Sequence, residues 1–184
     1  AAATPKPEYL QFITRFRQIV EAEGKKMVGW EEIAQSDIGP GVIAQYWHSA
    51  EHASAAAGKG AQVLLSPSTK VYLDMKYDTA TERGYNWAAY IEVDDAYNWD
   101  PETLVPGLSK AGIAGIETPI WGETLRNFKD AEFLLFPRLP GIAEVAWTKG
   151  PRSWDEYKER LGRHGKMMEA MDINFYKSKK VDWQ

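Results

Sequence analysis

Four short apolar segments of this chain each end in an aromatic or polar side chain that a buried strand does not need. They lie at residues 26–32, 42–48, 62–67 and 112–123. Their apolar residues follow one another without alternation, which is typical of parallel strands covered on both faces. A βα-barrel builds its site from functional groups at the carboxyl ends of successive parallel strands. The pattern therefore predicts an α/β fold with a site at the ends of its strands.

The ends of these segments place tryptophans next to charged or polar groups. Trp30 precedes two glutamates, Trp47 precedes a histidine, and Glu123 closely follows Trp121. An indole suits the flat C–H face of a sugar ring, and sugar hydroxyls need strong acceptors such as carboxylates. Core packing explains any one of these tryptophans equally well, but their shared position at strand ends favours a carbohydrate pocket.

The composition indicates a globular protein and argues against a nucleic-acid partner. The chain has 184 residues, 44% of them hydrophobic, and a net charge of −4 without a basic stripe. It contains no cysteine, which rules out a disulfide or a thiolate metal site within it. No apolar segment reaches the length of a membrane helix, and residues 1–7 lack the pattern of a signal peptide. We therefore expect neither a nucleic-acid nor a membrane partner.

Helices are expected between and after the apolar segments. Their apolar spacing and end signals place them at residues 7–24, 49–57, 100–110, 130–147 and 154–171. Ser153 is the expected cap of the last helix, and Pro137 and Pro140 must kink or split the helix before it. Residues 68–112 form a long insertion rich in aromatic side chains, and such loops inside a compact domain are usually functional.

The number of strands predicts part of a larger barrel. Four apolar segments cannot close a barrel, which needs about eight strands. The chain also opens on a helix, where a βα unit would open on a strand. We therefore predict a (β/α)8 TIM barrel of which this chain covers roughly the last four βα units, as one domain over residues 1–184. One strand edge would then be exposed unless another segment covers it.

Six sequence motifs occur in the order and at the spacing of one known family. They are Val28-Gly29-Trp30-Glu31-Glu32, Tyr46-Trp47-His48, Leu65-Ser66-Pro67, Tyr72-Leu73-Asp74, Trp121-Gly122-Glu123 and the segment of residues 136–147. With these motifs, from about residue 25 onwards, the chain resembles the C-terminal half of the catalytic barrel of β-N-acetylhexosaminidases, glycoside hydrolase family 20. The resemblance implies an N-acetylated amino sugar as ligand, and we expect no cofactor.

The resemblance implies a role for each aromatic residue of the site. Trp30, Trp47 and Trp121 match the tryptophans around one N-acetylated sugar, with Trp121 under the ring and the other two around the acetamido methyl. Tyr72 matches the tyrosine whose hydroxyl holds the acetamido oxygen while that oxygen attacks the anomeric carbon and forms an oxazolinium-like intermediate. Trp87 is expected to line the aglycone side.

Two carboxylates belong to the same resemblance, and one expected pair is missing. Asp74 and Glu123 match the carboxylates that accept hydrogen bonds from the 4- and 6-hydroxyls of the sugar. In the family, the general acid belongs to an Asp-Glu pair after a His-x-Gly-Gly motif, and this motif does not occur in the chain. The pair that begins at Asp155 follows a helix cap and is typical of a solvated first turn. We therefore expect no hydrolysis by this chain alone, and we expect the N-terminal half of the barrel as its partner.

Structural explanations are preferred for several other residues. His48 and His52 have the spacing of two metal ligands on one helix face, but an acidic third ligand is missing, so no metal is expected. Packing roles are expected for Trp99, Trp147 and Trp154. Structural ion pairs are expected for Glu32, Arg138 and Glu144.

The combined expectation is an exo-acting, retaining β-N-acetylhexosaminidase that uses the acetamido group of its substrate. Its substrates would be terminal β-linked N-acetylglucosamine or N-acetylgalactosamine, with a role in chitin degradation and a secreted or periplasmic location. Two alternatives remain open. One is a carbohydrate-binding fragment without catalysis, which a start codon near residue 1 would favour; the other is a half-barrel interaction module whose tryptophans are buried.

Overall fold

The computed structural model describes residues 5–184, and these residues form two compact units. The first unit consists of the described part of residues 1–66 together with Pro101–Glu117, and the second of Pro67–Asp100 together with Thr118–Gln184. The prediction for the N-terminal segment partly concerns residues 1–4, which lie outside the described residues. The prediction of one domain over residues 1–184 stays a prediction.

The first unit contains a parallel sheet of four strands, formed by the four apolar segments. The strands are β1 (Val28–Trp30), β2 (Ile43–Tyr46), β3 (Gln62–Leu65) and β4 (Ile113–Ile116), and they lie side by side in that order. All three pairings are parallel, with Val28 opposite Ile43 and Ile43 opposite Gln62. The sequence prediction of adjacent parallel strands is confirmed.

The central strands of this sheet are buried, whereas the outer strands are more exposed. Ala44 of β2 and Val63 and Leu65 of β3 are fully buried. Val28 of β1 is 52% exposed. Within residues 5–184, β1 pairs only with β2 and β4 pairs only with β3, so each has one unpaired edge. An open parallel sheet with such edges fits a part of a closed barrel.

Two helices complete the first unit at the predicted places. α1 (Pro7–Ala22) begins with a proline that is tolerated in the first turn, and it contributes Ile13 to the core. α2 (Ala50–Gly58) begins after Ser49, whose side chain accepts a hydrogen bond from the N–H of His52. α2 packs against β2 and β3. Both predicted helices are confirmed within two residues at each end.

The structure forms no helix at residues 100–110, where one was predicted, but it has a short helix just before this segment. Residues 101–107 form turns, so the predicted helix at residues 100–110 is wrong. The observed helix is α3 (Val93–Tyr97), which begins at a reciprocal capping box between Glu92 and Asp95. The Asp-Pro signal at residue 100 is also a common turn signal, and here it forms a turn.

The second unit ends in three longer helices. α4 (Phe128–Leu135) and α5 (Arg138–Trp147) are separated at the Phe136-Pro137 bond, which is cis. The predicted split is confirmed. Pro140 lies in the first turn of α5, where its missing N–H is tolerated. α6 (Trp154–Ala170) begins after Ser153, which accepts a hydrogen bond from the N–H of Glu156 as predicted. None of the helices in residues 5–184 is long and apolar enough to cross a bilayer.

The last residues of the chain lie close to two glycines of α6, which gives a test of this packing. A Cβ at Gly162 would overlap the carbonyl oxygen of Asp182, and the N–H of Gln184 donates to the carbonyl of Gly162 at 3.3 Å. We expect Gly162→Ala to lower the free energy of unfolding by about 1–3 kcal/mol, because backbone must move. Gly58→Ala in α2 is the control, since a Cβ there meets nothing within 4 Å. Urea unfolding that shows equal stability for both variants would contradict the observed packing.

Candidate functional site

The first unit carries two of the predicted site residues at the same end of its sheet. Trp30 is the last residue of β1, and Trp47 directly follows β2. Because β1 and β2 are adjacent and parallel, their carboxyl ends lie at one edge of the sheet. Both indoles are half-buried. The predicted position of these tryptophans at strand ends is confirmed, whereas their contact with a sugar stays a prediction.

Two neighbouring glutamates hold Trp47 at its backbone and at its indole. The carboxylate of Glu31 accepts hydrogen bonds from the N–H groups of Trp47 at 2.5 Å, His48 at 3.0 Å and Ser49 at 2.5 Å. The indole Nε1 of Trp47 donates to Oε1 of Glu32 at 3.0 Å. The ion pair predicted for Glu32 is therefore wrong, because the nearby indole N–H is its observed partner.

Glu31 is a fully buried carboxylate. Burial raises the pKa of this carboxyl, while its three backbone N–H donors act in the opposite direction, and the charge of Glu32 raises it further. Sequence reasoning did not assign a role to Glu31. An acidic residue directly after a strand was the available signal, but its partners lie 16 to 18 residues further along the chain.

The second unit brings three predicted aromatic residues together. The ring of Tyr72 lies 6.0 Å from that of Trp87 in an edge-on arrangement and 6.4 Å from that of Trp121. Tyr72 is buried, whereas Trp87 is 55% and Trp121 42% exposed. A large exposed aromatic surface next to a buried tyrosine is available to a ligand, and stacking on a sugar ring needs such a surface.

Asp74 is a buried carboxylate with unused hydrogen-bonding capacity. It is 1% exposed, and its Oδ1 has no hydrogen-bond partner within residues 5–184. Burial raises the pKa of this carboxyl, the N–H groups of Asp74 and Trp121 lower it, and the charge of Glu123 raises it. An unpartnered buried carboxylate oxygen is costly, and a hydroxyl donor of a ligand would satisfy it.

Glu123 is exposed and lies in a single 3₁₀ turn, Gly122–Thr124, directly after Trp121. The charge of Glu123 raises the pKa of the Asp74 carboxyl. The structure thus brings five of the seven predicted residues together in the second unit, namely Tyr72, Asp74, Trp87, Trp121 and Glu123. Trp30 and Trp47 belong to the first unit.

A buried arginine holds the backbone on both sides of Asp74. The guanidinium of Arg138 donates to the carbonyl oxygens of Leu73 at 2.7 Å and Met75 at 2.9 Å. It also donates to the carbonyls of Ile91 at 3.2 Å and Leu134 at 2.7 Å. The ion pair predicted for Arg138 is wrong, because backbone carbonyls take the place of a carboxylate. A charged residue within an apolar helical segment was the sequence signal for such a buried role.

Of the predictions for the other structural residues, three are confirmed and one is wrong. Glu144 forms the expected ion pair, with Arg160 at 2.7 Å. Trp99 is buried and its Nε1 donates to the carbonyl of Ala96, and Trp154 contacts two tyrosine rings, so both packing predictions are confirmed. Trp147 is 86% exposed, so its packing prediction is wrong. It is the last residue of α5, beyond the part of the helix that packs.

The metal-binding potential of the described chain is low. Residues 5–184 contain no group of three His, Cys, Asp or Glu side chains that could hold a metal ion. The N–H of His52 donates to Ser49 at the start of α2, and His48 lies on the surface beside Trp47.

The comparison with known proteins agrees with this geometry. The family described as "Glycosyl hydrolase family 20, catalytic domain" matches residues 3–150. The chain belongs to glycoside hydrolase family 20. A β-N-acetylhexosaminidase of Cellulomonas fimi is 41% identical over 180 residues, which are 96% of this chain and 36% of that protein.

Solved structures of this family share the fold over the whole chain. The β-N-acetylhexosaminidase of Streptomyces coelicolor A3(2) superposes with a TM-score of 0.93 at 39% identity, covering 100% of this chain and 39% of that one. A mutant β-hexosaminidase of Streptomyces plicatus, solved in complex with its product GlcNAc, gives 0.94 at 38% identity, covering 98% of this chain and 38% of that one. The predicted α/β fold, part of a TIM barrel, is confirmed. The chain spans less than two fifths of these family 20 relatives.

Proposed function

We propose that this family 20 chain supplies the sugar-binding half of an exo-β-N-acetylhexosaminidase site. The observation that carries the proposal is the buried Oδ1 of Asp74, which has no hydrogen-bond partner within residues 5–184. The same carboxylate accepts a hydrogen bond from the backbone N–H of Trp121, whose side chain is 42% exposed. A sugar provides a hydroxyl for this carboxylate oxygen and a flat C–H face for the exposed surface of the indole. The ligand is a terminal β-linked N-acetylglucosamine or N-acetylgalactosamine.

Each residue of the proposed site has one task. Trp121 stacks under the sugar ring, and Asp74 and Glu123 accept hydrogen bonds from the 4- and 6-hydroxyls. Trp30 and Trp47 enclose the acetamido methyl, which needs an apolar surface. Trp87 lines the aglycone side. The bound GlcNAc of the Streptomyces plicatus relative supports an amino sugar as the ligand.

The proposed reaction is hydrolysis with retention, in which the substrate supplies its own nucleophile. The hydroxyl of Tyr72 donates to the acetamido carbonyl oxygen and aligns it for attack on the anomeric carbon. The C–O bond to the aglycone breaks as the new C–O bond forms, and water later opens the oxazolinium-like ring.

Protonation of the leaving oxygen requires the Asp-Glu pair of a His-x-Gly-Gly-Asp-Glu segment, which the 184 residues do not contain. We therefore propose that the chain alone is inactive and that the N-terminal half of the barrel is its partner, in a secreted or periplasmic enzyme of chitin degradation.

A carbohydrate-binding fragment without catalysis is the second candidate. The same tryptophans and carboxylates would bind the sugar in it, and a native start codon near residue 1 would favour it. A half-barrel interaction module predicts buried tryptophans instead, and the exposed indoles of Trp87 and Trp121 argue against that alternative.

The test is calorimetric titration of the chain with N-acetylglucosamine-thiazoline, a mimic of the oxazolinium intermediate. We expect saturable binding at pH 7, and binding by Asp74→Asn that is about 10–100-fold weaker, because a charge-assisted hydrogen bond is lost. Asp155→Asn is the control, since this aspartate is exposed on α6. No binding by the folded wild-type chain, or equal binding by both variants, would reject the proposed site.

The raised pKa of Asp74 adds a pH dependence with opposite signs for binding and stability. Binding of the sugar weakens as pH falls through the pKa of Asp74 in the folded chain, because a protonated carboxyl is a poorer hydrogen-bond acceptor. Since this pKa is raised, the loss of binding begins at a higher pH than it would for an ordinary aspartate. The contribution of Asp74 to folding stability changes with pH in the opposite direction. Since the folded pKa exceeds the unfolded one, the contribution of Asp74 is present at low pH and is lost as pH rises through the folded pKa. At pH 7, Asp74→Asn should therefore be at least as stable as wild type in urea unfolding while binding more weakly.

A further inference from the structure

The segment that carries Trp47 is tied to Glu31 by three consecutive backbone N–H groups. These belong to Trp47, His48 and Ser49, and all three donate to the same fully buried carboxylate. Hydrogen bonds to a charged acceptor are the stronger kind, and burial prevents water from replacing them. Because Ser49 also caps α2, Glu31 connects the end of β1 to the segment that leads into this helix.

The side chain of Trp47 has a second attachment through the adjacent residue. Its indole N–H donates to the carboxylate of Glu32 at 3.0 Å. Glu31 and Glu32 are the first two residues of a 3₁₀ helix, Glu31–Gln35, that directly follows β1. One glutamate therefore accepts a hydrogen bond from the backbone of Trp47, and its neighbour accepts one from the indole.

We propose that Glu31 and Glu32 are positioning residues that hold Trp47 in one orientation and thereby set the preference for an acetamido group over a hydroxyl at carbon 2 of the sugar. The selectivity rests on the proposed function, in which Trp47 encloses the acetamido methyl. An apolar indole favours the acetamido methyl only while the ring stays in contact with the methyl group. If the indole could change rotamer, the site would lose part of its preference for the acetamido group. The positioning itself rests only on the observed hydrogen bonds.

The positioning is tested by NMR on the ¹⁵N-labelled chain, whose indole N–H signals are separate from the backbone signals. Trp47→Phe identifies the indole signal of Trp47 by its loss. We expect Glu32→Ala to shift this signal and to speed its hydrogen exchange at least about tenfold, with the backbone amides of residues 47–49 still protected. Glu31→Gln should show the reverse, with faster exchange of those three amides. Glu51→Gln, an exposed glutamate of α2, controls for the change in charge.

The selectivity is tested by titration of the same variants with N-acetylglucosamine and with glucose. We expect Glu32→Ala to reduce the ratio of the two affinities about tenfold through a loss for N-acetylglucosamine alone. An equal loss for both sugars would mean a general structural role and would overturn the proposed selectivity. An unchanged indole signal in Glu32→Ala would overturn the positioning. If the wild-type chain binds neither sugar, the proposed function and the selectivity fail, and the exchange data alone decide the positioning.

Discussion

Arg138→Met is expected to lower the free energy of unfolding by about 3–5 kcal/mol, because it leaves buried backbone carbonyl oxygens unsatisfied at a cost of about 1–3 kcal/mol each. The guanidinium is fully buried and donates to four carbonyl oxygens. Methionine removes this donor from the carbonyls of Leu73, Met75 and Ile91, whereas the carbonyl of Leu134 also accepts the hydroxyl of Tyr77. The methionine fills a similar volume, and removing the buried charge recovers part of its desolvation cost. The unsatisfied carbonyls therefore account for most of the loss.

Urea unfolding measures this loss, with the midpoint and the slope of the transition fitted separately for each variant. Arg160→Met is the matched control, because Arg160 is partly exposed and forms an ion pair with Glu144, which is worth at most about 1 kcal/mol. Arg138→Lys should also destabilise, since an ammonium cannot reach four carbonyls in the plane of a guanidinium. An Arg138→Met variant within 1 kcal/mol of wild type would mean that these bonds contribute little.

Arg138 also connects stability to the proposed site. Two of its acceptors, the carbonyls of Leu73 and Met75, flank Asp74 in the chain. The carbonyl of Asp74 itself accepts the N–H of Tyr85 at 2.8 Å. The backbone around Asp74 is thus held at each residue, which keeps its buried carboxylate in place without direct contact from a charged partner.

Tyr72→Phe is expected to reduce turnover about 10²–10³-fold in an enzyme that joins these residues to the Asp-Glu pair, while the substrate KM changes little. The hydrogen bond from the hydroxyl matters most when the acetamido oxygen becomes a nucleophile, so its loss affects the transition state more than the bound substrate. Phenylalanine keeps the ring that contacts Trp87 and Trp121, so the packing of the site is preserved.

Steady-state kinetics on a chitobiose-type substrate separates the two effects. Tyr90→Phe is the control, because Tyr90 is exposed and its hydroxyl accepts a hydrogen bond from Asn86. Turnover of Tyr72→Phe equal to that of wild type would exclude the proposed role. A rise in KM with constant turnover would show that the hydroxyl only binds the substrate.

Much of the fold could be predicted because its signals are local. The apolar segments became β1 to β4, and Ser49 and Ser153 cap the helices that follow them. Apolar spacing and capping act within a few residues, so a single sequence reveals them. The false helix at residues 100–110 marks the limit, since its start signal also fits a turn and only packing decides between the two.

The sequence by itself determined the parallel strands, the serine caps of α2 and α6 and, through its motifs, the residues of the proposed site. Only the tertiary structure decided the partners of the buried charges. Arg138 bonds to carbonyls up to 65 residues away, and Glu31 to amides that belong to the next strand end. It also decided that Trp147 is exposed and that Oδ1 of Asp74 has no hydrogen-bond partner among the described residues. The physical reason is that a buried polar group must be satisfied by whatever the fold brings near it, and those groups are distant in the chain.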